Sequence, residues 1–427
     1  MNAVPGVPEE PHEPPESPES HARFAPGAGF ETPEALRPVL ARVAERAGPE
    51  LEALILSGSH ATGEAVWTPL DGRPVSLSDV DLYAVMRTEA AMASARAARS
   101  PVVSARERQA WGLLAPVEVA FVTLAGLARM PARPGTVELA RSGRVVAGDA
   151  SVLARLPHSW QPLAIDAEEQ LLLLENRAFE LLWADAVWAE NAVSRLRARH
   201  AVLKAALELA AWRTLAQGEL PAGAEARVSR ASALGSPDGA PSWLAGAWEG
   251  LAPVWQEALA WRRGGARVVS DEVQAASWRA VNRAWCVAWW AEGSRRAALD
   301  SGDSRDSRDS RDSGDPWERS LALAARGSLA RRLRRSLMDD GPGGSNLLER
   351  VRRASAGTPE HRIHGSAAVL MLAAAQGSGA PRLPAGALRA LHALGVTQAD
   401  RFVGAARETL VAWDRQLHAG ERTAELG

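Results

Sequence analysis

Between Leu51 and Val85 the chain reads LEALILSGSHATGEAVWTPLDGRPVSLSDVDLYAV. An apolar run from Ala53 to Leu56 ends in Ser57-Gly58-Ser59, and after a turn-rich interval Ser78-Asp79-Val80-Asp81-Leu82 leads into a second apolar run. Short apolar runs bounded by Gly, Pro, Ser and Asp predict strands. Residues i and i+2 of a strand share a face, which sets Asp79 and Asp81 side by side. Two carboxylates so placed repel each other unless a cation sits between them. A glycine-serine turn leaving a strand can offer backbone N–H groups to a phosphate. The stretch therefore dictates two strands, the turn between them, and a chemistry of divalent cations and phosphate.

The rest of the chain falls into segments around it. Residues 1–30 are rich in Pro, Glu and Ser, cannot bury a core, and are expected to be disordered. Thr32-Pro33-Glu34 resembles a helix start, and Leu36, Leu40, Val43 and Ala47 make the apolar stripe of a helix that Gly48 stops. Pro38 sits awkwardly inside that helix and shifts its start. Pro69, Asp71-Gly72 and Pro74 predict a loop or hairpin over 67–78, followed by a strand over 79–86. A helix is expected near 88–99, a strand over 115–124, and a short helix then a strand over 137–149. Together these form a compact α+β domain spanning 31–160.

From Asp166 onward the pattern is helical. Asp166 with Glu169 resembles a capping box, and Leu171, Leu174, Phe179, Leu182 and Val187 form one apolar face. A second helix carries Val202, Leu203, Ala206, Leu207, Ala210 and Ala211 and ends by Gly218. Long helices are expected over 243–262 and 271–293, completing a helical segment at 161–300. Residues 301–316 repeat Ser, Arg, Asp and Gly without an apolar face and predict a flexible linker. A C-terminal helical segment, 317–427, is expected to hold helices near 317–338, 364–376 and 397–417. The fold class is thus α+β: a small mixed sheet followed by an all-α C-terminal part.

Composition narrows the function. A formal net charge of −2 over 427 residues gives no support for bulk nucleic-acid binding, which selects a strongly basic face, and leaves room only for a local basic patch. One cysteine, Cys286, excludes an intramolecular disulfide framework and a thiolate zinc cluster. No apolar run reaches the roughly 20 residues of a membrane span, and the acidic, Pro-rich start is unlike a secretory signal. A cytoplasmic location is expected. Sixteen Trp stand against one Tyr. Trp183, Trp188, Trp212, Trp243, Trp248, Trp255, Trp285, Trp289 and Trp290 fall mostly at helical spacings and are expected in the core.

In the order strand, Gly58-Ser59, strand with Asp79-Val80-Asp81, the chain resembles the nucleotidyltransferase superfamily, whose members include DNA polymerase β and the aminoglycoside nucleotidyltransferases. The family places a third carboxylate on a later strand, and Glu118 in Val117-Glu118-Val119 matches it. Glu138 to Gly143 and Val145 to Asp149 look like the segment closing this domain in drug-modifying relatives. Residues 50–150 carry the resemblance well and 165–225 only loosely. The interval from His60 to Ser78 is longer than the family usually has, which a loop insertion explains. Thr62 stands where small relatives often carry a basic residue.

The resemblance implies transfer of a nucleoside monophosphate, with AMP from ATP expected, to a hydroxyl and release of pyrophosphate. Such a reaction needs in-line placement and charge neutralisation, and two Mg²⁺ ions about 4 Å apart stabilise both entering and leaving oxygens. Asp79 and Asp81 supply the hard oxygen ligands. Glu118 completes the metal site or takes the proton from the acceptor. Gly58 lets the backbone approach the phosphates and Ser59 adds a hydroxyl donor. The expected acceptor is a small molecule. A protein side chain, as in antitoxin-type relatives, and a non-catalytic nucleotide-binding module are the alternatives. The pattern leaves room for a homodimer.

Other elements have simpler readings. An acid alternating on a strand, as Glu118 does, is often just the solvent face. Glu169, Glu175 and Glu208 read as solvated helix faces, and Lys204, which could reach a triphosphate, as an exposed helix lysine. Arg195 and His200 match an Arg-x4-His spacing of helical RNases, but the chain is rich enough in Arg for chance matches. The basic run Leu329–Leu337 reads as a solvated face, and Cys286 as buried and inert.

Overall fold

The computed structural model describes residues 34–97, 102–300, 359–376, 383–394, 396 and 402–417. The 1–30 tail, the 301–316 linker, the expected helix at 317–338 and the basic run at Leu329–Leu337 lie outside the described residues.

A single 3₁₀ turn, Glu34–Leu36, leads into helix α1, Arg37–Ala47. Pro38 lies in its first turn, where a missing N–H costs nothing. Leu36, Val39, Leu40 and Val43 are buried, and Gly48 ends the helix at φ +67°.

Strand β1, Leu51–Ser57, runs into a one-turn helix α2, Gly58–Thr62. The extra residues before the carboxylate pair form a hairpin of β2, Trp67–Leu70, and β3, Arg73–Ser76. Its two-residue turn needs positive φ at both positions, met by Asp71 at +50° and Gly72 at +75°. Strand β4, Val80–Met86, then pairs antiparallel with β1. Helices α3, Glu89–Ala97, and α4, Ala105–Ala110, carry the chain back across the sheet. That crossover sets β5, Val117–Thr123, parallel to β4. Helices α5, Leu124–Ala128, and α6, Pro134–Ser142, precede β6, Arg144–Gly148, which joins the other edge of β1. The strand order is β5-β4-β1-β6.

Period-two alternation gives this sheet two buried faces. Leu54, Leu56, Leu82, Ala84 and Met86 pack toward α1. Ala53, Ile55, Val85 and Val122 pack toward α6, and this second core also takes in Ala211, Leu215 and Leu220 from the helical region. Asp81 and Glu118 have the parity of Val85 and Val122, so they continue the face that the helical region covers.

The helical region begins with α7, Ala167–Val187, and α8, Ala192–Leu215. Asp166 caps α7 by accepting from Glu169 N. The reciprocal half of the expected capping box is missing, because the Glu169 carboxylate pairs with Arg133 at 2.7 Å. Helix α9, Ala224–Leu234, comes next. The single helix expected over 243–262 is instead two 3₁₀ turns, Ser242–Leu244 and Glu249–Leu251, then α10, Ala252–Ala260. Gly246 at φ +70° interrupts it, and Pro253 fits only the first turn of α10. Helix α11 spans Asp271–Asp300, and α12, α13 and α14 span Pro359–Ala375, Ala385–Leu394 and Phe402–Leu417. Helix α12 packs on α7 and α11 within one continuous apolar core.

That core absorbs most of the tryptophans expected in it, while Trp183, Trp188 and Trp243 pack half-buried at its edge. Trp212, Trp248, Trp255, Trp285, Trp289 and Trp290 are buried. The Trp285 and Trp255 indoles donate to the carbonyls of Leu174 and Ala206, each at 2.8 Å, tying helix to helix. Cys286 is fully buried among them, and burial pushes its thiol up out of the ionising range. The chain is mixed α+β, a small mixed sheet with an all-helical C-terminal region. No described helix is long and apolar enough to cross a membrane.

Candidate active site

The five residues singled out in the sequence gather at one end of the sheet. Ser57 on β1, Asp81 on β4 and Glu118 on β5 form one cross-strand row, with Asp81 in the middle. Asp79 lies just before β4, two residues from Asp81 and on the same face. Gly58 follows Ser57 directly, at φ +63°. A Cβ at Gly58 would run into Oδ2 of Asp81, so only glycine lets the turn lie against this carboxylate. The Ser59 hydroxyl is buried without a hydrogen-bond partner. Thr62 turns its hydroxyl onto the Ser59 carbonyl at 3.2 Å.

The helical region supplies the positive charge. Ala211 of α8 packs in the sheet's second core, and Lys204, two turns earlier on the same face, reaches the carboxylates. Its ammonium lies 3.0 Å from Asp79 Oδ2 and 3.7 Å from Glu180 Oε1. Arg177 pairs with Glu180 and stands 3.4 Å from Glu208. The network thus runs from Asp79 through Lys204 and Glu180 into the contact between α7 and α8.

The carboxylates feel this unequally. Burial alone would raise the Asp79 carboxyl, but Lys204, then Arg177 and His200, outweigh it and hold it well below the usual range. Asp81 is pushed up to about 7 by burial and by the charges of Asp79 and Glu118. Solvent reaches Glu118, yet partial desolvation and then Asp79 raise its carboxyl too. Burial opposes the charge on Lys204, and Glu180 and Asp79 more than compensate, lifting it above its ordinary value.

Among the described residues, no three His, Cys, Asp or Glu side chains close into a ready-made metal cage. The chemistry of the donor set still fits a hard divalent cation. Three carboxylates share one face, and the two lacking an ammonium partner are held toward the protonated form. A cation among them would relieve that repulsion. The orphaned Ser59 hydroxyl beside them fits an anionic oxygen.

Sequence reasoning missed the place of Lys204. This lysine stands alone in VLKAALELAAW, where the only other charge is Glu208 one turn on. Of the acids weighed as substitutes for Glu118, Glu169 is engaged with Arg133 and Glu175 with His364 at 3.0 Å, while Glu208 stands against Arg177 at the far end of the Lys204 network. Arg195 pairs with Asp271 and lies over the Trp188 ring. His200 accepts from the Trp261 indole at 3.3 Å, and burial with the nearby Lys204 charge lowers it to about 3. Neither is arranged as an RNase pair. Compared with known protein families and with curated proteins, the chain matches none.

Proposed function

We propose that the chain is a nucleotidyltransferase that moves a nucleoside monophosphate, AMP from Mg·ATP, to a hydroxyl of a small molecule and releases pyrophosphate. The observation carrying this reading is the row Ser57–Asp81–Glu118, with Asp79 on the same face and Gly58 lying against Asp81. Asp79, Asp81 and Glu118 would hold the Mg²⁺ ions, which supply charge neutralisation at the phosphates. The Ser59 hydroxyl is free to donate to a phosphate oxygen, and Lys204 brings a fixed positive charge to the same place. Glu118, raised and open to solvent, is suited to accept the proton of the acceptor hydroxyl. The helical region packs on this face through Ala211 and Leu215, so an acceptor would reach the carboxylates from the side where Glu118 meets solvent.

A non-catalytic nucleotide-binding role is the second reading, favoured by the Lys204–Asp79 ion pair, which already neutralises one carboxylate. Purified protein with Mg²⁺, α-labelled ATP and panels of small molecules and proteins separates the two. Label should pass to an acceptor, and Asp79→Asn and Asp81→Asn should each cut pyrophosphate release about a hundredfold or more. Turnover that survives both substitutions sinks the carboxylate assignment, and label on no acceptor moves weight to the binding role.

A further inference from the structure

We propose that His60 is a positioning residue that fixes the peptide carrying Asp79 against α2, and this rests on the nucleotidyltransferase reading of the site. His60 is 3% exposed, although it sits on the one-turn helix that starts with Gly58 and Ser59. Its Nε2 lies 3.4 Å from the carbonyl oxygen of Ser78 and 3.3 Å from the Ser76 hydroxyl. That hydroxyl donates to the same Ser78 carbonyl at 3.1 Å. Having spent its one proton there, the Ser76 oxygen is left an acceptor. Nε2 faces two oxygens and must therefore carry the ring's proton, leaving Nδ1 bare. Consistently, Nδ1 is buried without a partner, and burial lowers the ring's proton affinity and keeps it neutral.

The Ser78 carbonyl belongs to the peptide whose nitrogen is that of Asp79. Two donors on that oxygen, one from α2 and one from β3, hold the peptide plane and so the direction in which Asp79 leaves it. Further ties surround it. The Ser78 hydroxyl accepts from Val66 N at 2.9 Å, and Trp67 meets the imidazole edge-on, 5.7 Å between centroids. An aliphatic side chain would fill this space without the unpaired Nδ1, which carries a desolvation cost. What the imidazole adds is a rigid donor linking the phosphate turn to the carboxylate peptide. Groups that orient a metal ligand in this way change metal affinity or activity by about 10–100-fold when removed.

The test compares wild type with His60→Leu, His60→Gln and Ser76→Ala. Each is assayed for Mn²⁺ affinity of the free protein, for kcat and KM of pyrophosphate release from ATP, and for thermal midpoint. His60→Leu should weaken Mn²⁺ binding and lower kcat about 10–100-fold with KM for ATP little changed. His60→Gln, whose amide nitrogen reaches the place of Nε2, should regain most of both. Ser76→Ala should shift both in the direction of His60→Leu, and serves if the leucine variant does not fold. Folded His60→Leu or Ser76→Ala protein with wild-type Mn²⁺ affinity and kcat overturns the role of His60 and leaves the function standing. Failure of Gln to rescue, with both variants impaired, reduces His60 to a packing residue and overturns it too. A wild type that neither binds Mn²⁺ nor releases pyrophosphate overturns the nucleotidyltransferase reading, and the role of His60 with it.

Discussion

Asp81 is crowded from three sides: Asp79 just ahead of its strand, Glu118 across the parallel pair, and Gly58 pressed on Oδ2. The contact with Gly58 makes a sharp prediction. Gly58→Ala should lose about 1–2 kcal/mol for the left-handed backbone alone, plus the cost of moving Asp81. Asp81→Ala removes the second cost but not the first. Urea melts of the two single variants and the double should therefore be non-additive, with the double less destabilised than the sum. Strict additivity would show that the turn and the carboxylate do not touch. This glycine was legible in the sequence as part of Gly58-Ser59. The reason it must be glycine was not, because Asp81 comes 23 positions later. Lys204 was less legible still, since a lysine on a helix carries no mark of which way it points.

Helix α4 shows how a short element is held by its ends. The Ser104 hydroxyl accepts from Glu107 N, and the Glu107 carboxylate accepts from the Ser104 N–H, Oγ and the Arg42 guanidinium of α1. Ser104, then Arg42, hold the Glu107 carboxyl down at about 2, against an ordinary 4.5. A depressed carboxyl stabilises the fold above its unfolded value and loses that contribution as pH falls through the folded value. Thermal midpoints should therefore separate wild type from Glu107→Gln at pH 6, with the gap narrowing from about pH 4.5 downward and closing near pH 2. A gap independent of pH would contradict the ion pair. Ser-x-x-Glu at 104–107 is plain in the sequence, whereas at 166–169 the same type of pattern gave only half its bonds. The difference is tertiary: Arg133 reaches Glu169 first. Strands β1 and β4 were legible from apolar runs alone. The break near Gly246 was not, because a single glycine inside a long apolar stretch does not by itself end a helix.

At the scale of the whole molecule the sheet and the helices are one structure. Besides Lys204 and Asp79, Glu64 accepts from Ala224 N and pairs with Arg262, Arg227 pairs with Glu138, and Arg133 with Glu169. Helix α12 shares its core with α7 and α11, so residues beyond 358 complete the scaffold on which Lys204 stands. A chain ending at 358 should bind a hydrophobic dye and melt without a cooperative transition. An unchanged melt would show that α7 and α11 are stable uncovered. The order in which the site's parts occur has a further consequence, for the time of synthesis. Its acids, Asp79, Asp81 and Glu118, all precede Lys204 in the chain. A ribosome adding roughly 5–20 residues per second leaves on the order of ten seconds between the emergence of Glu118 and that of Lys204. Through that interval the three acids are out on the chain without the lysine whose ammonium pairs with Asp79 in the finished structure.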